Sequence, residues 1–219
     1  MDSFTQIVER IGLNPEQVLV LLLVTIVSIW FLGRIIFGSS SRGRLDTVLI
    51  YGPCGTGKTS LFYLWKNGKV PETVTSQVQN RGFVLDGVKE EIVDYPGHPR
   101  LRNGAYELVP RAKRLVYMVD DSCVKEAAES LFHIFVLPKL NPKTEMMICA
   151  NKGADVETVI QKLNKEIQLL QQTKSDDGEY VGVEGEDFDI ELHAPIHVLK
   201  AKVNVRERNV GTIEAFIRK

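Results

Sequence analysis

TVLIYGPCGTGKTS, residues 47–60, begins as a short β-rich run, turns on three glycines within six positions, and continues into residues that start a helix. The middle of it, Gly52-Pro53-Cys54-Gly55-Thr56-Gly57-Lys58-Thr59, satisfies GxxxxGK[ST] in the setting that motif requires, directly after a strand and directly before a helix. Glycines let such a loop fold into a nest of N–H groups that converge on phosphate oxygens, and the following helix, with Ser60 in its first turn, adds the positive end of its dipole. Lys58 is then the charge for the β- and γ-phosphates, and the Thr59 hydroxyl is a ligand for Mg²⁺. Cys54 has no base near it in sequence and reads as a small filler of the loop.

Outward from this turn, strands and helices alternate. Residues 58–65 read as a helix. Residues 83–85 and 88–93 read as two strands joined by Asp86-Gly87, a strong hairpin signal. Residues 115–119 and 146–150 are apolar without alternation, as central strands covered on both faces require. Val159, Ile160, Leu163, Ile167 and Leu170 recur at helical spacing, which predicts an amphipathic helix over 156–172. Residues 196–199 read as a last strand and 212–218 as a C-terminal helix. The class is α/β: a P-loop fold with a mostly parallel sheet flanked by helices and one antiparallel hairpin strand. Residues 175–191 carry eight acidic residues and no basic one, and read as a solvated loop insertion within a nucleotide-binding domain spanning 45–219.

The second half of the chemistry lies further along. Asp94-Tyr-Pro-Gly97 fits DxxG, 42 residues beyond Gly52 and at the end of a strand. There a carboxylate can hold Mg²⁺ through water, and the Gly97 N–H can sense a γ-phosphate. Thr73-Val74-Thr75-Ser76 lies in the preceding loop, where the Thr75 hydroxyl can complete the cation's coordination beside Thr59 and Asp94. His193 and His197 stand four apart, but Pro195 between them disfavours the helix that a metal site at that spacing needs.

Composition closes off several classes. The formal net charge is −1, with 27 Lys and Arg against 28 Asp and Glu, which argues against direct nucleic-acid binding. Three cysteines without regular spacing exclude a disulfide scaffold or a cysteine-rich zinc site. The apolar residues are unevenly spread. Residues 18–37 contain one charge, Arg34 near the end, and at about 1.5 Å per residue they reach about 30 Å, the hydrocarbon thickness of a bilayer. Acidic residues precede this stretch, Arg34 sits at its far edge, and Arg42 and Arg44 follow it. The expectation is a single-pass transmembrane helix after a short lumenal segment (1–17), followed by a linker (38–44) and a cytoplasmic C-terminal domain.

Together these residues resemble the Ras-like small GTPases, in the branch near the ADP-ribosylation factors, and within it the family of signal recognition particle receptor β subunits. Thr75 stands 19 residues before Asp94, as the switch threonine does in that branch. DYPGHPRLR (94–102) is similar to the family's DxPGHxxLR segment, and the TxTS run at 73–76 matches as well. The resemblance implies GTP and GDP with Mg²⁺, a position at the endoplasmic reticulum membrane near the translocon or ribosome, and a partner, the receptor α subunit, whose N-terminal domain grips the switch regions. It also places His98 where Ras-like enzymes carry the water-positioning glutamine; an imidazole can orient a water, so slow hydrolysis is within its chemistry. Arg100 and Arg102 read as surface charge or partner contacts.

The chain departs from the family pattern twice. The guanine-reading NKxD motif is here Asn151-Lys152-Gly-Ala-Asp155, with the Asp one residue late and Ala154 in its place. A one-residue shift moves a Cα by about 3.8 Å. Asp155 stands either as a displaced base reader or as the N-cap of the following helix. The second departure is Lys200-Ala201-Lys202, where the family has Ser-Ala-Lys; the Ala201 N–H is the expected contact to the guanine oxygen. Four readings follow: a regulatory GTPase anchored in the membrane, a nucleotide-stabilised tether without turnover, a P-loop ATPase or kinase on a membrane stalk, and a vesicle-traffic GTPase of the ADP-ribosylation-factor type, against which the apolar span argues.

Overall fold

The structure is a computed structural model that describes residues 46–72, 76–174, 180–183 and 185–219, together with Gln17, Val20 and residues 23–28. Two compact units divide at Gly43. In the first, residues 23–28 are helical with exposed side chains. Among the described residues no helix is long and apolar enough to cross a membrane. Most of the 18–37 stretch lies outside the described residues.

The second unit is built on six strands: β1 (Thr47–Tyr51), β2 (Asn80–Gly82), β3 (Glu91–Asp94), β4 (Ala112–Val119), β5 (Glu145–Ala150) and β6 (His197–Lys202). Their order in the sheet is β2-β3-β1-β4-β5-β6, and every pairing is parallel except β2 with β3. The helices are α1 (Lys58–Asn67), α2 (Arg102–Leu108), α3 (Val124–Phe135), α4 (Val156–Lys174), α5 (Ile190–His193) and α6 (Gly211–Arg218).

Alternation along the buried strands divides the core in two. Leu49, Tyr51, Leu115, Tyr117, Met146 and Ile148 face one side, where α3 and α4 bring Leu131, Phe132, Val159 and Leu163 against them. Val48, Ile50, Val116, Met118, Met147 and Cys149 face the other and meet Leu61, Phe62, Ile213 and Phe216 of α1 and α6. Both faces of the central strands are therefore dry, which is why those strands read as continuous apolar runs. All parallel strands end on the same side of the sheet, and the loops after β1, β3, β5 and β6 gather there.

Three local expectations are corrected. The antiparallel pair turns on Asp86-Gly87, where the Val88 N–H donates to the Leu85 carbonyl at 3.2 Å, but its strands are not the expected 83–85 and 88–93. The strands lie outside that turn, Asn80 opposite Asp94 and Gly82 opposite Ile92, because Leu85 folds into the core while Phe83 is left exposed. The 175–191 segment is not simply a solvated loop: Val181, Phe188 and Ile190 are buried, and Asp189 caps α5 by accepting from the Glu191 N–H. The last strand reaches Lys202, three residues beyond its predicted end.

Candidate nucleotide-binding site

At the end of β1 the chain must turn sharply beneath β4. Gly52 does so at φ 136°, and an ideal Cβ there would lie 2.1 Å from the Met118 carbonyl oxygen, so only glycine fits. Gly57 stands at φ 95° at the head of α1, where a Cβ would meet the Asn151 side-chain nitrogen at 2.5 Å. Between them the Pro53 carbonyl accepts from the Thr56 hydroxyl at 3.0 Å and from the Lys58 ammonium. Lys58 also lies 3.4 Å from the Thr56 hydroxyl. It is almost fully buried; burial pushes its pKa down, while the charge of Asp94 works in the opposite direction.

Asp94 ends β3 at the mouth of this loop and is 1% exposed. Its Oδ2 accepts from the Thr59 hydroxyl at 2.9 Å and from the Asn80 amide at 2.8 Å, and the Ser76 hydroxyl lies 3.0 Å from that of Thr59. Oδ1 is buried with no hydrogen-bond partner among the described residues. A carboxylate oxygen left bare among two hydroxyls, beside a buried ammonium, fits a hard cation with oxygen ligands. Gly97 presses against the loop from the other side: a Cβ on it would come within 2.3 Å of the Gly52 carbonyl oxygen. Thr73, Val74 and Thr75 lie outside the described residues.

Burial pushes the Asp94 carboxyl pKa up, and the hydrogen bonds from Asn80 and Thr59 oppose it. A cation needs the ionised form, so protons and metal compete. As pH falls, Mg²⁺ affinity is expected to drop while still above the ordinary aspartate range, because the raised pKa is crossed first. Without metal, the folded state holds this proton more tightly than the unfolded state, so stability declines as pH rises from the ordinary value through the raised one. Titrating Mg²⁺ by calorimetry between pH 4.5 and 7.5 (about the span in which a raised carboxyl titrates) checks this; an affinity constant across that span contradicts it.

A cavity of about 1200 Å³ opens from this loop. Its far wall is Asn151-Lys152-Gly153 and the turn Asn204–Glu207. Asn151, buried, holds the parts together: its amide nitrogen donates to the Thr56 carbonyl at 2.8 Å and its oxygen accepts from the Val205 N–H at 3.2 Å. Lys152, at φ 58°, pairs with Asp120 at 2.7 Å.

Several expected contacts are placed elsewhere. Asp155 is the N-cap of α4, accepting from the Thr158 N–H at 3.0 Å and hydroxyl at 2.8 Å, and these bonds hold its pKa below the usual range. Ala154 is buried in the core beneath α4. Ala201 and Lys202 belong to β6 itself, opposite Cys149 and Ala150, and are not on the cavity wall; the turn two residues later takes that place. His98 is exposed, and its Nδ1 accepts from the Arg100 N–H at 3.2 Å at the head of a short turn, Pro99–Leu101, so the ring is engaged away from the cavity that Pro96 and Gly97 line. Arg102 reaches Glu129 at 2.6 Å and Glu126 at 3.2 Å, tying α2 to α3. Among the described residues no histidine, cysteine and carboxylate cluster could hold a metal, and His193 instead accepts from the Asp189 N–H. Asn80 belongs to no motif that marks it in the sequence; its position opposite Asp94 in the hairpin is what brings it to the carboxylate.

The family model for the signal recognition particle receptor beta subunit matches residues 43–199. The mouse signal recognition particle receptor subunit beta is 28% identical over 198 residues, covering 80% of this chain and 70% of its own. Among solved structures, that of the mammalian SRP receptor superposes with a TM-score of 0.69 at 25% identity, over 78% of this chain and 98% of the other. The SRb-GTP/SRX complex from Chaetomium thermophilum gives 0.64 at 18% identity, over 78% and 98%, and shares the fold. With the Ras-like sheet, the phosphate loop and the opposed Asp94 already in place, the family match settles descent: the chain belongs to the signal recognition particle receptor β-subunit family.

Proposed function

We propose that this chain is a membrane-anchored guanine-nucleotide-binding subunit that holds the receptor's α subunit at the endoplasmic reticulum surface for co-translational targeting, with residues 18–37 as its single span and the nucleotide domain in the cytoplasm. The observation that carries the reading is the buried, half-satisfied Asp94 set against Thr59 and Ser76 at the mouth of the phosphate loop. The N–H groups of residues 54–59 bind the phosphates and Lys58 holds their β- and γ-oxygens. Thr59 and Asp94, with Thr75 or its neighbour Ser76, hold Mg²⁺. When bound, the cation neutralises phosphate charge and fixes the oxygens in one arrangement. Asn151 keeps the base wall in register with the phosphate loop through its two hydrogen bonds.

Switching belongs to the segments touching the γ-phosphate, residues 73–76 and Gly97–His98, which the phosphate orders and its loss releases. That the related SRb was solved with GTP and SRX together supports a partner that docks on the loaded form. A second reading, a tether in which turnover plays no part, is favoured by one observation: the His98 Nδ1 is used as the cap of the Pro99–Leu101 turn. Measuring capture of the α subunit by the full-length protein loaded with GTP or with GDP separates them. A switch gives about tenfold or more tighter binding with GTP; equal affinities leave the tether.

A further inference from the structure

Resting on the guanine-nucleotide reading above, we propose that the base is selected by Glu207, on the turn after β6, and not by Asp155. Three placements point to it. The Asp155 carboxylate is spent on the Thr158 N–H and hydroxyl outside the cavity, and the preceding Ala154 is buried in the core, so the loop after Asn151 brings no acidic side chain to the wall it forms. The neighbouring turn on that wall does: Glu207 lines the cavity beside Arg206, with Lys152 and Gly153 lining the same space. Among the described residues no cation pairs with Glu207, whereas Lys152 is already held by Asp120.

The turn that carries Glu207 is fixed. Asn204 and Asn209 exchange backbone hydrogen bonds at 3.0 and 2.9 Å across its neck, and the Glu207 N–H donates to the Asn204 side chain at 3.2 Å. The Val205 N–H is bonded to the same Asn151 that donates to the Thr56 carbonyl of the phosphate loop. The backbone that carries Glu207 is therefore held in place relative to the phosphate loop, as a base-reading group requires because the nucleotide is anchored at that end. Guanine presents adjacent N–H donors, the ring N1–H and the exocyclic amine, and one carboxylate accepts both. Adenine presents an unprotonated ring nitrogen at that position, which a carboxylate repels. The other carboxylate on the cavity wall, Glu72, immediately precedes residues 73–76 and belongs to the switch segment.

The test uses the full-length protein in detergent or nanodiscs and competes GTP, XTP and ATP against a fluorescent GTP analogue. Xanthine carries a carbonyl where guanine has its amine, so an amide side chain can donate to xanthine where a carboxylate cannot. Glu207→Gln is expected to shift the GTP-to-XTP affinity ratio towards XTP by about tenfold or more, with an unchanged melting temperature because the residue is exposed. Asp155→Asn is expected to leave the ratio within about twofold and the melting temperature within about two degrees, because Asn caps a helix about as well as Asp. A ratio unmoved by Glu207→Gln, or one that moves instead with Asp155→Asn or Glu72→Gln, overturns the proposal. Wild-type protein that binds none of the three triphosphates overturns the guanine-nucleotide reading itself, and this inference with it.

Discussion

Lys58→Ala in the full-length protein lowers GTP affinity by about 100- to 1000-fold, the effect expected when one partner of a buried, hydrogen-bonded charge pair is removed. The lysine is 5% exposed and lies over the loop that its own helix begins, with the Pro53 carbonyl and Thr56 hydroxyl as its partners. An ammonium held there has already lost most of its water, and burial disfavours its charge. A triphosphate restores what burial took away, so the binding free energy concentrates on this contact. The loss appears in nucleotide affinity and in the thermal shift that nucleotide produces, because a ligand that binds only the folded state stabilises it by RT ln(1 + L/Kd), where L is the free ligand concentration. Equilibrium titration with a fluorescent nucleotide checks it. A variant that binds within about threefold of wild type, well below the cost of losing a charge-assisted hydrogen bond, would remove the phosphate loop from the site.

The second large effect falls on folding. Gly52→Ala is expected to cost about 2–6 kcal/mol, from backbone strain at φ 136° together with overpacking against a neighbouring main chain. Against a total stability of roughly 5–15 kcal/mol, that removes a large share of it, and it unfolds the protein outright only at the low end of that range. The obstacle is the Met118 carbonyl of the adjacent strand, 2.1 Å from the added carbon, and a central strand buried on both faces has no room to retreat. Gly55→Ala is the control. Its φ is 74° and the added carbon meets nothing within 4 Å, so it costs only the left-handed backbone, about 1–2 kcal/mol. Urea unfolding followed by circular dichroism compares the two. Equal midpoints would mean that the strand-to-loop turn is not packed as described.

What the sequence disclosed follows how locally each feature is encoded. The phosphate loop is contiguous, its glycines are demanded by backbone angles, and a strand and a helix bracket it, so it was legible from residues 47–60 alone. Asp94 was legible because a strand end and a glycine three positions on bracket it. The base wall was not. β6 is an edge strand whose His197, Lys200 and Lys202 are partly or fully exposed, so nothing in its polarity marks where it ends. Lys200-Ala201-Lys202 imitates the family tripeptide while lying inside the ladder, and the turn that meets the cavity follows it. Asp155 had two roles open to it, and geometry decided for the cap: Thr158 is three residues on, at the helix N-terminus, where an aspartate finds both a backbone N–H and a hydroxyl. The hairpin turn was legible at Asp86-Gly87, but the paired strands lie farther from it than the residue pattern suggests, because Leu85 beside the turn is drawn into the core.

The central claim is that this cavity takes a guanine nucleotide and a divalent cation together, through Lys58, Thr59 and Asp94. Calorimetric titration of GTP into the full-length protein, with Mg²⁺ and then with a chelator, tests it most directly. Saturable one-to-one binding with Mg²⁺, weakened about tenfold or more by the chelator through loss of the cation held at Asp94, is the expected result. Binding that ignores the cation, or no heat of binding in either condition, would contradict it.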